Sequence, residues 1–461
     1  MRVPRKGSKI HLIGIGGAGM RGIALMLMQM GYVVTGSDID CDRELVRDLG
    51  EKGTILFSGQ RAENITDQKV VIYSSAIKES NPELERARQL DIKCIHRTDF
   101  FFEFGLTRKV LGVAGTHGKT TTTAMIAHVL DRMGQNISYY FGSPIIGGEQ
   151  ARWSGSGNQM LVMETDESDK SFLKFNCDLA VVTNIDWDHM DAYDHNKKNL
   201  LDAFESFVVQ AKMRVLNADD ENTFRMKLRD MDQVITFGRN SLSHVKGDLT
   251  NIFREGHNLC STTGVRIGGE SVGRLKLKVP GDHNVSNALA ALSAIVSLDF
   301  DPKLALPHFF TFPGTQRRLE LMGSVNSSPV YDDYAHHPTA IIAGLKALRS
   351  YYPDEKICLV MQPFRFARIS YLMDEYSACV SLADRTIVTQ VFPQEENNLE
   401  RSREFCSKLR VMNPSSQIAM AGTLELVPKI VKSSLTKNEV VYLAGPYPIR
   451  ACAKPILEAI R

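Results

Sequence analysis

The chain has 461 residues, 43% apolar and 23% charged, with 55 basic residues against 53 acidic ones. That balance excludes a disordered or fibrous chain, and it lacks the basic excess expected of a protein held to nucleic acid by backbone electrostatics. At about 150 residues per domain the length predicts two to four domains. The cysteines (Cys41, Cys94, Cys177, Cys260, Cys358, Cys379, Cys406, Cys452) form no C-x-x-C pair, which points to free thiols in a reducing cytoplasm. A glycine cluster and Arg21 interrupt the first apolar stretch, and nowhere do 18 apolar residues run together, so neither a signal peptide nor a membrane span is expected.

Short apolar runs alternating with amphipathic stretches open the chain. Ile10–Ile15 reads as a strand, Met20–Met30 as a helix, and Tyr32–Thr35 and Val70–Tyr73 as further strands. A second unit begins near Lys109, with a strand Val110–Ala114, a helix Thr121–Met133, and strands Met160–Glu164 and Leu179–Thr183. Residues 240–280 alternate in polarity, as an antiparallel excursion would, and a helix Val285–Leu298 closes the unit. After the turn signal Phe312-Pro313-Gly314, strands are expected at Pro329–Asp332, Ile357–Met361, Thr386–Gln390, Ile418–Met420 and Val440–Leu443. Between them lies a helix with Pro338 in its first turn and Ile341, Leu345 and Leu348 at helical spacing. The expected class is α/β in three domains: 1–106 Rossmann-like, 107–312 a central P-loop ATPase, and 313–461 Rossmann-like again. Ligands of such sheets bind beyond the C-terminal strand ends.

Two loops carry the first chemistry. Gly14-x-Gly16-x-x-Gly19 follows a strand, opens a helix, and has Asp38 at the end of the next strand. Glycines there let the backbone approach a pyrophosphate at a helix N-terminus, with Asp38 on a ribose; a bare tight turn is the alternative. The loop argues for a diphosphate-bearing ligand without saying which. The second loop, Gly115-Thr116-His117-Gly118-Lys119-Thr120, has P-loop organisation, although Val113 stands where the strict pattern has its first glycine. Backbone N–H groups would cradle phosphates, Lys119 would reach the β/γ oxygens, and the Thr120 hydroxyl would ligate Mg²⁺. Carboxylates gather at two later strand ends, in Glu164-Thr165-Asp166-Glu167-Ser168-Asp169 and in Asn184-Ile185-Asp186-Trp187-Asp188-His189-Met190-Asp191. They supply the oxygen ligands that a hard cation needs, although such runs also serve as helix caps or solvated loops.

Taken in order, eight motifs resemble the Mur ligase family over nearly the whole chain. They are Gly-Ile-Gly-Gly-Ala-Gly-Met (14–20), Ser-Ser-Ala-Ile-Lys (74–78), Gly-Thr-His-Gly-Lys-Thr-Thr-Thr (115–122) and Glu-Thr-Asp-Glu-Ser-Asp (164–169). The others are Thr-Asn-Ile-Asp-Trp-Asp-His-Met-Asp (183–191), Asp-His-Asn-Val-Ser-Asn-Ala (282–288), Asp-Asp-Tyr-Ala-His-His-Pro (332–338) and Gln-Pro-Phe-Arg-Phe-Ala-Arg (362–368). The resemblance implies an ATP-dependent ligase that joins L-alanine to the lactyl carboxylate of UDP-N-acetylmuramate through an acyl phosphate, in peptidoglycan precursor synthesis. It implies UDP-sugar binding by Gly14, Gly16, Gly17, Ala18, Gly19, Asp38, Ser74 and Ser75. ATP is expected on Gly115, Thr116, His117, Gly118, Lys119, Thr120 and Thr121, with the adenine end near His283 and Asn287 and the ribose on Asp333. Arg317 or Arg318 would reach the phosphates. Mg²⁺, with Mn²⁺ as the alternative, would sit on Thr120 and Glu164, and His189 resembles a second-metal ligand, which binds only when neutral. His336, Arg365 and Arg368 resemble the amino-acid site, where guanidinium groups fork onto a carboxylate. Read without the ordered motifs, His336 or His337 could instead cap the helix at Pro338, and the two arginines could be a surface pair.

The chain departs from the family pattern at three places. Phe364 replaces a histidine, Ala444-Gly445-Pro446-Tyr447 lacks the usual aspartate, and Phe204 stands where related enzymes carry a carbamylated lysine. The alanine-adding branch is also expected to lack that lysine. Rival readings are a ligase for recycled murein tripeptide, an NAD-dependent dehydrogenase built on residues 14–19 and Asp38, and a non-catalytic P-loop switch. No nucleic-acid or membrane partner is expected, and the chain should be a monomer or weak homodimer in the cytoplasm.

Overall fold

The computed structural model describes all residues except 1–2, 42–43, 107–108, 156–159, 227–232, 256–257 and 394. The expected first domain break, between 106 and 107, abuts residues 107–108, which lie outside that set. Three sheets organise the chain. The first is fully parallel, in the order Ile55–Ser58, Val33–Asp38, Lys9–Ile13, Val70–Tyr73, Lys93–His96. Its first strand in sequence therefore lies centrally, and the glycine loop leaves it at the point where the strand order reverses.

In the central sheet, Val110–Ala114 pairs in parallel with Leu179–Val182 on one side and Leu161–Glu164 on the other. This register sets the glycine loop after Ala114 between the two acidic strand ends. Met213–Asn217, Val234–Gly238 and Val245–Gly247 continue the sheet beyond Leu179–Val182. The expected antiparallel excursion is formed by Asn251–Glu255, Asn258–Ile267 and Glu270–Leu277. In the third sheet the order is Glu320–Val325, Ser328–Asp333, Val440–Ala444, Ile357–Met361, Arg385–Val388, Gln417–Met420, antiparallel only at the first pair.

Several strands escape the sequence pattern, among them Ser138–Tyr140, Ala151–Arg152, Met213–Asn217 and Val234–Gly238 of the central sheet and edge strands of the other two. Ile55–Ser58, Lys93–His96 and Glu320–Val325 are edge strands whose residues are mostly half-buried or exposed, and none carries an apolar run longer than three residues. The helix expected from Thr121 begins at Lys119, because Gly118 caps it in the left-handed conformation (φ +83°). At Pro338–Tyr351 the sequence signals hold: proline sits in the first turn, Ile341, Leu345 and Leu348 are buried, and the His337 ring accepts from the Thr339 N–H.

By packing, residues Met1–Leu249, Gly264–Leu275 and Ser286–Phe312 form one unit, and Thr250–Thr263, Lys276–Val285 and Pro313–Arg461 form another. The first two sheets share a unit because one apolar cluster joins them. Ile10, Met20 and Phe101 from the first sheet region and Tyr140, Met163 and Phe172 from the second belong to it. Phe204, at the carbamyl-lysine position, is fully buried there against Phe172. Among the described residues no helix is long and apolar enough to cross a membrane, and all eight cysteines are free thiols.

Candidate active site

The P-loop is held from the strand beside it. Asn184 accepts the Thr116 N–H on its backbone oxygen (3.0 Å) and the His117 N–H on Oδ1 (2.9 Å). The Thr183 hydroxyl donates to the His117 carbonyl at 2.6 Å, and the His117 ring lies 3.3 Å from Asp186. Both loop glycines are obligatory by space as well as by conformation. A Cβ on Gly115 (φ +134°) would lie 2.1 Å from Thr183 Oγ1, and one on Gly118 2.3 Å from Asn287 Oδ1. Asn287 thus lies against the loop, with His283 one turn earlier on the same helix, Asp282–Ser297. Thr121 follows Thr120 into the helix and is buried with it.

Lys119 Nζ donates to the carbonyls of Gly115 (2.6 Å) and Thr116 (3.3 Å) and pairs with Glu167 Oε1 at 2.8 Å. Burial works against its charge, but Glu167, Glu164 and Asp166 outweigh burial, so its pKa is raised and the ammonium persists. Burial also pushes Glu167 up, to about 7, with Lys119 pulling against it and Asp166 adding to it. Glu167 Oε2 is buried without a hydrogen-bond partner. Nearby, Thr120 Oγ1 donates to Glu164 Oε2 (2.9 Å), which also accepts the Gly142 N–H (2.6 Å). A hydroxyl and a carboxylate converging beside a phosphate-type loop, with an orphaned carboxylate oxygen close by, form a donor set that fits a hard divalent cation. His189 follows the next strand end in the left-handed conformation (φ +53°), its half-exposed ring 3.7 Å from Asp188.

The first glycine loop closes on itself. Asp38 Oδ2 accepts the Gly16 N–H at 2.9 Å, and Gly14 and Ile15 donate to the Ser37 carbonyl. Gly14, Gly17, Asp38 and Ser74 line a cavity of about 550 Å³ together with Ile77, Lys78 and Asn81. Gly19 also makes room for a side chain of the central sheet. A Cβ there would lie 2.6 Å from the Tyr140 hydroxyl and 3.0 Å from Arg97 Nη1, so this glycine seats a tyrosine of the central sheet. The Ala18 carbonyl, beside it, accepts from Gln150.

Sequence reasoning missed Arg97. Its Nη2 pairs with Asp166 (2.9 Å) and Asp169 (3.0 Å), while the Ser75 hydroxyl donates to the same Asp169 oxygen at 2.8 Å. Burial opposes ionisation of Asp166, yet Arg97 and Lys119 hold its carboxyl well below the usual range. One ion-pair network therefore connects the end of the Val70–Tyr73 strand to the acidic run after Glu164. Arg97 lies in no recognisable motif; the acidic run is the only sequence signal that a buried cation partner was needed.

In the second unit, His336, Phe364, Arg365 and Arg368 come together from the ends of two strands. The His336 and Phe364 ring centroids are 4.8 Å apart, and the Arg365 and Arg368 guanidinium carbons lie 5.1 and 5.4 Å from the Phe364 ring centre. His337, not His336, caps the helix. Arg317 is buried, bonded to Asp332 (3.2 Å) and to the carbonyls of Gly445 and Pro446, whereas Arg318 is half-exposed beside Tyr334. Asp333 is buried, accepting from Tyr442 (3.1 Å) and the Ala335 N–H. Burial pushes its pKa up to about 6 against the pull of Arg318.

Residues 9–107 match the profile described as Mur ligase family, catalytic domain; residues 113–295 match the Mur ligase middle domain, and 317–446 the Mur ligase glutamate ligase domain. A UDP-N-acetylmuramate–L-alanine ligase of Aquifex aeolicus is 39% identical over 399 residues, 85% of each chain. One from Mesorhizobium japonicum is 37% identical over 461 aligned positions, 96% of each. The solved UDP-N-acetylmuramate–alanine ligase of Thermotoga maritima superposes with a TM-score of 0.84 at 28% identity, covering 98% of both chains. A murein peptide ligase of Psychrobacter arcticus shares the fold, with a TM-score of 0.71 at 22% identity over 98% of this chain and 99% of its own. Three family domains in succession and relatives above 30% identity along most of the sequence lead to one conclusion: the chain belongs to the Mur ligase family.

Proposed function

We propose that the chain is an ATP-dependent ligase that forms the amide between L-alanine and the lactyl carboxylate of UDP-N-acetylmuramate, releasing ADP and phosphate. The observation that carries this reading is the link between its two phosphate loops. Ser75, beside the UDP-sugar cavity, shares Asp169 with Arg97, and Arg97 holds Asp166 in the acidic run that also supplies the Lys119 partner Glu167. Such a link would let a carboxylate on a diphosphate-bearing ligand meet a nucleotide bound in the same unit.

A carboxylate is a poor acyl donor, so one of its oxygens first takes the γ-phosphoryl group as the bond to ADP breaks. The alanine amine then attacks the acyl carbon, and phosphate leaves with the electrons of the C–O bond. Positioning and charge stabilisation dominate such catalysis. The Gly115–Gly118 backbone would orient the nucleotide phosphates, and Lys119, kept cationic, would follow the charge as it moves to the leaving oxygen. Thr120 and Glu164 would hold a divalent ion, Mg²⁺ by preference, whose chemistry is to neutralise phosphate oxygens. Asn287 and His283 would face the base. Of the two arginines after the linker, Arg318 is the one less committed within its own domain. Arg368 and Arg365 would fork onto the carboxylate of alanine beside His336.

The test is a coupled phosphate-release assay. Release should require UDP-N-acetylmuramate and L-alanine together, and Lys119→Ala should remove it under every combination. Release with murein tripeptide but not with alanine would move the assignment to the recycling ligase. Nicotinamide binding with no response to Mg-ATP would favour a dehydrogenase.

A further inference from the structure

We infer that Phe364 is a positioning residue for the amino-acid substrate, an aromatic platform that holds the guanidinium groups of Arg365 and Arg368 in register. This inference rests on the assignment of the amino acid to that cluster.

Phe364 sits where three strand ends converge. It follows the strand Ile357–Met361, touches His336 from beyond Ser328–Asp333, and stacks on Phe392 from beyond Arg385–Val388 (centroids 6.3 Å apart, planes 26° apart). Backbone bonds fix the ring's position. The Arg365 N–H donates to the Phe392 carbonyl at 2.8 Å, and the Phe392 N–H donates to the Pro363 carbonyl at 2.9 Å. Between these bonds Arg365 is forced to φ +59°, ψ 124°, a conformation that side-chain-bearing residues rarely adopt. The short helix Phe366–Tyr371 then returns Arg368, largely buried, to the same ring.

Like charges gathered on one ring repel, and each long side chain has rotamer freedom to leave it. The quadrupole of the ring opposes both tendencies, since a cation within about 6 Å of an aromatic face is attracted to it. The ring therefore pre-orders a pair of cations that would otherwise have to be gathered when the carboxylate binds. Its contribution belongs to binding of the amino acid, not to the chemical step or to the nucleotide.

Steady-state kinetics of the full-length enzyme test this. Phe364→Leu keeps an apolar side chain of similar volume and removes the π-face. It should raise the KM for L-alanine at least about 5-fold, the loss of one exposed cation–π contact (Arg365) and one buried one (Arg368), and leave the KM for ATP and for UDP-N-acetylmuramate unchanged. Phe364→Trp, with the stronger quadrupole, should keep the alanine KM near that of the parent. The proposal is overturned if the Leu variant keeps the parent's alanine KM, or if the Trp variant loses as much as Leu. It is equally overturned if either variant shifts all three KM values together, the mark of a general packing defect. Arg368→Ala separates the two levels of inference. An unchanged alanine KM in that variant refutes the placement of the amino acid, whereas a raised one alongside a normal Leu variant refutes only the platform.

Discussion

Asp333→Asn should stabilise the protein, and increasingly so as pH rises. Asp333 is buried at a strand end, and its pKa of about 6 exceeds the ordinary value of 3.8 because burial penalises the charged form. Between those two values the folded state binds more protons than the unfolded state. Stability therefore falls as pH rises through the window, and the full penalty is present above pH 6. Two pKa units correspond to about 3 kcal/mol, of which roughly half has developed by pH 5. Asparagine has no charge to desolvate. Its amide can still accept the Ala335 N–H, and its NH₂ can donate to the Tyr442 hydroxyl that now donates to Asp333. The assay is urea denaturation of parent and variant at pH 4, 5, 6 and 8. The stability difference should grow from well under 1 kcal/mol at pH 4 to about 3 kcal/mol at pH 8, with unchanged m-values. A difference that stays constant across the range, or a variant less stable at pH 8, would refute the reasoning. If Asp333 also serves the nucleotide ribose, the stabler variant will need more ATP to reach half-maximal rate.

Two further outcomes follow from the contacts between the first two sheets. Gly19→Ala brings a Cβ to 2.6 Å from the Tyr140 hydroxyl and should cost about 1–3 kcal/mol by overpacking; Tyr140→Phe, lacking that hydroxyl, should restore part of the loss in the double variant. Additive effects would show that the clash is relieved elsewhere. Arg97→Met strands two carboxylates and should cost about 1–3 kcal/mol at neutral pH, discounted for their partial exposure. Arg97 lowers the pKa of Asp166 and of Asp169, so its stabilisation is present above the unfolded value near 3.8 and fades as pH falls below it. The deficit in thermal unfolding should accordingly shrink in acid; a pH-independent deficit would mean that Arg97 acts by packing alone.

Local signals were strong enough to read most of this architecture from sequence. Val70–Tyr73, Val110–Ala114 and Ile357–Met361 fall where their apolar runs predict, because central parallel strands are buried on both faces. The edge strands carry only short apolar runs, and inside the central sheet Arg214 and Thr236 interrupt the runs of Met213–Asn217 and Val234–Gly238. At the sites, a glycine followed by Lys-Thr and a helix pointed to Lys119, Thr120 and, through the next strand end, Glu164, and these residues do converge. What sequence could not supply was long-range partnership. Nothing near Arg97 announces that it meets Asp166 from 69 residues away, and Gly19, third in a phosphate-binding pattern, also makes room for Tyr140. Glu167 was one carboxylate among several until its burial and its contact with Lys119 set it apart.

The way each anion-seeking group satisfies itself has a consequence for selectivity. Lys119 is bonded to the carbonyls of its own loop and to Glu167, and the Gly16 N–H is bonded to Asp38. The protein thus carries its own placeholders, and any ligand enters by exchange, gaining only the difference between the new bonds and those it displaces. A small anion offering one or two contacts gains almost nothing from such an exchange. A polyphosphate engaging the loop backbone and Lys119 at once would gain several times over. Discrimination against small single anions is in this sense built into those bonds.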